Sequence, residues 1–191
     1  EIKGIGGTST DKDCSQISKI RYRRAEQRGK FDVFGLYIVN HQRYTPPESR
    51  CNPPFTENQI NDARLDKRGL ITTYSLYKAY EQIVNGVITK EEVRENLFEH
   101  GLIEPKPTNL ISLGKPAEFF MSGQVAIVNL EGTTLNKGMD IFVNKNGAFN
   151  KIQISSLKVD DKDVDEISDG EVGIKFNGLV KKNSELFIKN V

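Results

Sequence analysis

In the first half of the chain, apolar residues occur either in short runs or at spacings of three and four, and these two patterns follow each other in turn. Residues 33–40 and 70–73 are short, mostly apolar runs that predict strands, and the first is apolar enough to be buried on both faces. Spacings of three and four between apolar residues, with capping residues before them, predict helices over about 10–28, 56–69, 74–84 and 89–101. Alternation of strands and helices is typical of an α/β domain.

The pattern changes near residue 110, which indicates a second domain. Beyond this point six short strands are predicted over 117–121, 124–130, 140–143, 151–159, 173–176 and 185–188. Turn signals such as Asn146-Gly147 separate them, and even spacing of short strands predicts a small closed β-barrel. We therefore predict one domain over 1–104, a linker over 105–114 and a barrel over 115–191.

The composition of the chain limits which partners and which cellular compartment we expect. The chain has 27 basic and 26 acidic residues, so binding to a polyanion would require a local patch rather than a net positive field. Its two cysteines cannot form a disulfide framework and lack the pairing of a zinc site, so we expect reduced thiols in a cytoplasmic protein. We expect neither a membrane span nor a signal peptide.

Candidate chemistry begins with the first three residues. Glu1 and Lys3 are separated by one position, so on a strand their side chains point to the same face. Taken alone, this pair is also consistent with an ordinary ion pair at the surface. Asp11 and Asp13 lie in the first turn of the next predicted helix, where acidic residues commonly stabilise the helix terminus.

The order of these features resembles the PD-(D/E)XK nucleases, specifically their restriction-endonuclease-like branch. The residues that carry the resemblance are Glu1-Ile2-Lys3-Gly4, Gln16 on the following helix, the segment 39–50 and the segment 70–77. The resemblance covers about residues 1–85. It implies an α/β restriction-endonuclease-like core that is incomplete at the N-terminus, and a DNA endonuclease that hydrolyses phosphodiester bonds.

The resemblance also implies roles for three residues. Glu1 would bind Mg²⁺ or Mn²⁺ as a hard oxygen ligand, Lys3 would lie by the attacking water or the scissile phosphate, and Gln16 would orient water. In the family a second metal carboxylate, an Asp, lies upstream of the Glu-x-Lys pair. We therefore expect this chain to be the C-terminal part of a longer protein and to be inactive without that carboxylate.

Arginines in two regions are the candidates for nucleic-acid binding, with DNA the expected partner and RNA an alternative. Arg21, Arg24 and Arg28 share a helical face, and that face is equally consistent with ordinary solvated charge. Arg43 and Arg50 lie in the proline-containing segment 41–54, which predicts an extended surface loop, and each can make forked contacts with phosphate.

The second half resembles the second domain of elongation factor Tu and related translational GTPases. The segments that carry this resemblance are 114–115, 126–128, 135–141, 156–160, 170–175 and 180–187. The resemblance implies an all-β, translation-factor-like barrel. No phosphate-binding loop of the form Gly-x-x-x-x-Gly-Lys-[Ser/Thr] is present in the sequence, so nucleotide hydrolysis is not implied. The alternative to a nuclease is a non-catalytic nucleic-acid-binding or translation-associated module.

Overall fold

The computed structural model describes residues 1–190, which form two units. The first contains residues 1–84 and 88–106, and the second contains residues 85–87 and the chain from Pro107 onward. The change between them at Lys106 and Pro107 lies within the segment predicted as a linker. Among the described residues, no helix combines the length and the apolar character that a membrane crossing requires.

The first unit is built on a four-stranded parallel sheet in the order β1-β2-β3-β4. Its strands are β1 (Ile2–Gly4), β2 (Gly35–Asn40), β3 (Arg68–Thr72) and β4 (Gly101–Leu102). Its helices are α1 (Asp11–Arg28), α2 (Glu57–Leu65), α3 (Thr73–Val84) and α4 (Lys90–Asn96). A 3-10 helix, Pro47–Ser49, interrupts the loop after β2.

Threonine fixes the starts of three of these helices. Thr10, Thr56 and Thr89 each precede a helix and accept a hydrogen bond from the backbone N–H three residues later. In each case the side chain of that third residue accepts from the backbone N–H of the threonine, which completes a capping box. Helix α1 ends at Arg28 and is capped by Gly29, whose φ of 66° is a conformation that glycine adopts without steric cost.

The core of the first unit lies between one face of the sheet and helices α1 and α2. Alternate residues of β2 supply Tyr37 and Val39, and β3 supplies Leu70. These side chains pack against residues that are spaced along the two helices or lie in the adjoining loop, namely Cys14, Ile17, Phe55 and Ala63. Burial of this apolar surface is the main stabilising contribution to the unit.

Two helices end earlier than the sequence predicts, because residues at their predicted C-terminal ends belong to strands of the sheet. The second helix was predicted to reach Gly69, but α2 ends at Leu65 because Arg68 and Gly69 enter β3 and are buried there. The last helix likewise ends at Asn96 rather than at Gly101, since Gly101 pairs with Gly69 in β4. Strand β4 was not predicted, because two residues are too few to show a period.

The second unit is all β. Its strands are β5 (Leu110–Gly114), β6 (Glu118–Phe120), β7 (Val125–Leu130), β8 (Leu135–Asn136), β9 (Asp140–Lys145), β10 (Ala148–Val159), β11 (Lys162–Val164), β12 (Glu166–Ile167), β13 (Gly170–Phe176) and β14 (Glu185–Lys189). Eight of them form an antiparallel sheet in the order β5-β14-β9-β10-β13-β7-β6, with β11 paired to β10, while β8 and β12 pair separately.

This sheet is curled, so that β5 contacts β7 although other strands separate them in the pairing order. The long strand β10 makes the curl possible, because its first half pairs with β9 and its second half with β13. One continuous core fills the concave side, including Leu135, Ile141 and Leu157. The structure is therefore mixed α/β with a curled β-sheet; closure into a translation-factor-like barrel and the nuclease-like identity of the first unit stay predictions.

Candidate functional site

Strand β1 is at the edge of the parallel sheet and presents Glu1 and Lys3 toward helix α1. Lys3 is in register with Val39, which belongs to the core beneath α1, whereas Ile2 points to the opposite face and is 73% exposed. The alternation of side chains along a strand thus places the two charged residues on the helix-covered side. Their positions follow directly from the one-residue spacing in the sequence.

The Lys3 ammonium group lies at the centre of a polar cluster that joins β1 to α1. Its Nζ atom is 3.4 Å from Glu1 Oε1 and donates hydrogen bonds to Asp13 Oδ1 at 2.9 Å and to Gln16 Oε1 at 2.8 Å. A lysine ammonium has three N–H groups, so these three acceptors match its full capacity. The structure therefore brings together the three predicted catalytic residues, Glu1, Lys3 and Gln16; their catalytic role stays a prediction.

Asp13 is the member of this cluster whose contact with Lys3 the sequence analysis missed. It was interpreted only as a helix-terminal acid, and it does serve that purpose, since its Oδ2 accepts hydrogen bonds from the backbone N–H and the hydroxyl of Thr10. Its other oxygen, Oδ1, is left to pair with Lys3. The sequence signal for this position is the spacing of three residues between Asp13 and Gln16, which places them on one helical face.

The contacts of Asp13 and Lys3 change the acid–base behaviour of both groups. The hydrogen bond from Lys3, followed by those from Thr10, lowers the pKa of Asp13 from 3.8 to about 2. The hydrogen bond to Asp13 is likewise the main cause of a raised pKa of Lys3. Lys3 is consequently a fixed cation near neutral pH, suited to stabilising negative charge and unsuited to accepting a proton.

One carboxylate oxygen in this cluster, Glu1 Oε2, has no hydrogen-bond partner among the described residues and could bind a divalent cation. Glu1 Oε2 is buried without a hydrogen-bond partner in residues 1–190, while Oε1 faces the Lys3 ammonium group. In the same residues there is no group of three His, Cys, Asp or Glu side chains that could hold a metal ion. The residues described therefore do not fit a complete Mg²⁺ or Mn²⁺ site, and Glu1 would supply at most one ligand to it.

Arg21 does not lie on the exposed face that the sequence predicted for it. The residue is 6% exposed, its Nε donates to the carbonyl oxygen of Val33 at 2.8 Å, and its guanidinium group pairs with Asp66 and lies over the ring of Phe31. These contacts tie α1 to the segments that flank β2 and β3. Arg21 is therefore removed from the predicted basic face, because a phosphate in solvent cannot approach a guanidinium group that is enclosed by protein.

Arg24 and Arg28 remain at the surface of α1 and are held by neighbours in sequence. Arg24 donates to Gln27 Oε1 at 3.0 Å, and Arg28 forms an ion pair with Asp32 at 3.2 Å. Exposed pairs of this type contribute little free energy and can exchange for a phosphate group. Both residues thus stay candidates for contact with a nucleic-acid backbone.

The two loop arginines have different environments. Arg43 is exposed, lies over the ring of Tyr44 and donates to the carbonyl oxygen of Gly4, which directly follows Lys3 on β1. Arg50 is partly buried, donating from Nε to the carbonyl oxygen of Thr45 at 2.9 Å and from Nη1 to Asn40 Oδ1 at 2.6 Å. The structure therefore places Arg43 beside the cluster, while Arg50 stabilises the loop.

Comparison with known proteins finds similarity to solved structures at the level of the fold. No protein-family model matches the chain, and no curated protein matches it in sequence. A solved structure, translation elongation factor SelB from Methanococcus maripaludis in its apo form, aligns over 100% of this chain with 9% identity and a TM-score of 0.35. The chain spans 39% of the length of that protein.

Proposed function

We propose that the cluster of Glu1, Lys3, Asp13 and Gln16 is part of the active site of a metal-dependent DNA endonuclease. The observation that carries the proposal is the convergence of three acceptor side chains on the ammonium group of Lys3, within 3.4 Å, at the edge of a parallel sheet. Phosphodiester hydrolysis develops negative charge on phosphate oxygens, and a preorganised cation lowers the free energy of that charge. The resemblance of residues 1–85 to restriction-endonuclease-like nucleases supports the same assignment.

Each member of the cluster has a part in the proposed chemistry. Lys3 remains charged and would stabilise the scissile phosphate. Gln16 accepts from Lys3 through Oε1, which leaves its amide N–H groups to donate to water or to a phosphate oxygen. Asp13 is a positioning residue, because it links Lys3 to the N-terminus of α1 without a free oxygen of its own. Arg43, which donates to the carbonyl oxygen of Gly4 beside the cluster, would bind the DNA backbone.

Dependence on Mg²⁺ or Mn²⁺ is part of the proposal and requires an additional ligand. Such an ion is bound by oxygen atoms and would supply charge neutralisation at the phosphate. Glu1 offers one buried oxygen, and the proposal is that a further carboxylate from outside residues 1–190 completes the site. The activity is therefore proposed for the full-length protein, including any residues that precede Glu1.

The experiment is a cleavage assay of the full-length protein on duplex DNA, with Mg²⁺ and with the chelator EDTA. We expect Glu1→Gln and Lys3→Met each to reduce the rate by roughly 100-fold or more, as loss of a charge-stabilising group does in other enzymes. Lys12→Met is the matched control, because Lys12 is exposed on α1 outside the cluster. Cleavage by either variant at the rate of the unchanged protein, or cleavage that persists in EDTA, would contradict the proposal.

A non-catalytic nucleic-acid-binding module is the second candidate. The observation that favours it is the saturation of Lys3 by three acceptors, which is the arrangement expected of a structural ion pair that needs neither metal nor substrate. This candidate predicts salt-sensitive binding of DNA or RNA that is unaffected by EDTA, without cleavage. A translation-associated role, which rests on the barrel resemblance alone, predicts co-sedimentation with ribosomes.

A further inference from the structure

A cavity of about 420 Å³ lies in the first unit, at the carboxyl ends of β2 and β3. Its walls come from the last residue of β2, from the loop that carries the 3-10 helix and from the first turns of α3. Because Tyr37 and Val39 face α1 and α2, the alternation along β2 directs Asn40 to the opposite face of the sheet. The cavity is therefore separate from the cluster around Lys3. Carboxyl ends of parallel strands are frequent ligand sites in α/β proteins.

Two tyrosine rings form the aromatic wall of this cavity. The rings of Tyr74 and Tyr77 are nearly parallel, with an interplanar angle of 13° and centroids 6.4 Å apart. The ammonium group of Lys78 lies over both rings, 5.3 Å from one centroid and 5.9 Å from the other, and helps to hold their orientation. Tyr77 is 52% exposed, so a planar ligand can reach it from solvent. Such a surface suits stacking of a nucleobase.

Two polar side chains of the cavity wall, Asn40 and Arg50, are held by hydrogen bonds. Arg50 donates to Asn40 Oδ1 at 2.6 Å and to the carbonyl oxygen of Thr45 at 2.9 Å, which immobilises both side chains. The amide N–H groups of Asn40 and the remaining guanidinium N–H groups of Arg50 are left as donors. Glu48, which also lines the cavity, has no hydrogen bond or ion pair with the described residues. The cavity thus combines free donors with a free carboxylate.

This combination is complementary to guanine. Guanine presents acceptors at O6 and N7, which the donors of Asn40 and Arg50 can satisfy, and donors at N1 and N2, which a carboxylate such as Glu48 can accept. Adenine has an acceptor at N1 and no N2 amino group, so it cannot make the same paired contact with a carboxylate. We infer that this cavity binds an unpaired guanine base, stacked on Tyr77. The inference deepens the proposed function, on which it depends for DNA as the natural source of that base.

The test uses the 191-residue chain and deoxynucleoside monophosphates as probes in two-dimensional NMR. We expect dGMP to shift the amide signals of residues in the loop 40–50 and of Tyr74 and Tyr77, and to bind at least about fivefold more tightly than dAMP, dCMP or dTMP. Deoxyguanosine should retain the binding, whereas deoxyribose 5-phosphate should not. Equal affinity for the four nucleotides, or full binding by the sugar phosphate alone, would overturn the inference.

Two variants assign the contacts to named side chains. Tyr77→Leu should weaken dGMP binding by roughly 5- to 150-fold, the range measured for loss of a base-stacking ring, whereas Tyr80→Leu on the same helix should not, since Tyr80 is 63% exposed outside the cavity. Glu48→Gln should abolish the preference for dGMP over dAMP. Unchanged affinity of Tyr77→Leu, or an unchanged preference in Glu48→Gln, would refute the assignment.

Failure of this inference and failure of the proposed nuclease activity are distinguishable. The cavity contains none of Glu1, Lys3 or Gln16, so Lys3→Met should leave dGMP binding unchanged. Guanine selectivity without DNA cleavage would support the inference and contradict the nuclease proposal. Cleavage without guanine selectivity would support the nuclease and refute the cavity assignment.

Discussion

Removal of the Asp13 carboxylate should make the first unit less stable at neutral pH and less sensitive to acid. Asp13→Asn keeps the size of the side chain but replaces the charge that pairs with Lys3 and accepts from Thr10. The pKa of Asp13 in the folded chain is about 2, below its ordinary value of 3.8. A carboxyl group whose pKa is lowered by folding contributes stability above its unfolded pKa, and this contribution is lost as the pH falls toward the folded value.

The size of the effect follows from the two pKa values. The interval from 3.8 to about 2 corresponds to at most roughly 2.4 kcal/mol, at about 1.4 kcal/mol for each pH unit. The side chain of Asp13 is 25% exposed, so screening by solvent reduces the expected contribution to about 1 kcal/mol. We therefore expect Asp13→Asn to lower the free energy of unfolding by about 1 kcal/mol at pH 7, and the difference from the unchanged chain to vanish near pH 2.

Urea unfolding at a series of pH values is the assay. The four α-helices and all six tyrosines belong to the first unit, and the chain has no tryptophan, so ellipticity at 222 nm and tyrosine fluorescence both report on that unit. Asp62→Asn is the control, because Asp62 is exposed on α2 and makes no ion pair within residues 1–190. If Asp13→Asn and the control have equal stability at pH 7, or if their difference persists unchanged to pH 2, the electrostatic reasoning is wrong.

Two further predictions concern a glycine of the second unit and the two cysteines. In calorimetry, Gly123→Ala should destabilise the second unit by about 2 kcal/mol more than Gly147→Ala. Both glycines have positive φ, but only at Gly123 would a Cβ atom meet the backbone oxygen of Val180, at 2.3 Å. Equal losses of stability in the two variants would refute this prediction. Burial raises the pKa of the Cys14 thiol to about 11. A disulfide reagent at pH 8 should therefore label only the exposed Cys51 in the folded chain, and both thiols in denaturant. Rapid labelling of both thiols in the folded chain would contradict this prediction.

Features fixed by neighbours in the chain could be predicted from the sequence. Threonine followed three residues later by Asp, Gln or Glu marks the starts of α1, α2 and α4, because the capping box needs only a single turn of backbone. The spacing of Glu1 and Lys3 sufficed to place both on one side of β1, since side chains alternate along any strand. In the second unit, the six strands predicted from alternation and turn signals all have counterparts in the sheet.

Contacts between distant segments were decided only by the tertiary structure. Local periodicity put Arg21 on a basic face, yet the carbonyl oxygen of Val33 and the carboxylate of Asp66 draw its guanidinium group into the interior. Asp13 is a partner of Lys3 only because α1 packs against β1, and the cavity lined by Tyr74 and Tyr77 exists only where the loop after β2 meets α3. Sequence patterns report the few residues that share a turn or a strand, whereas burial and pairing depend on which segments are brought together by packing.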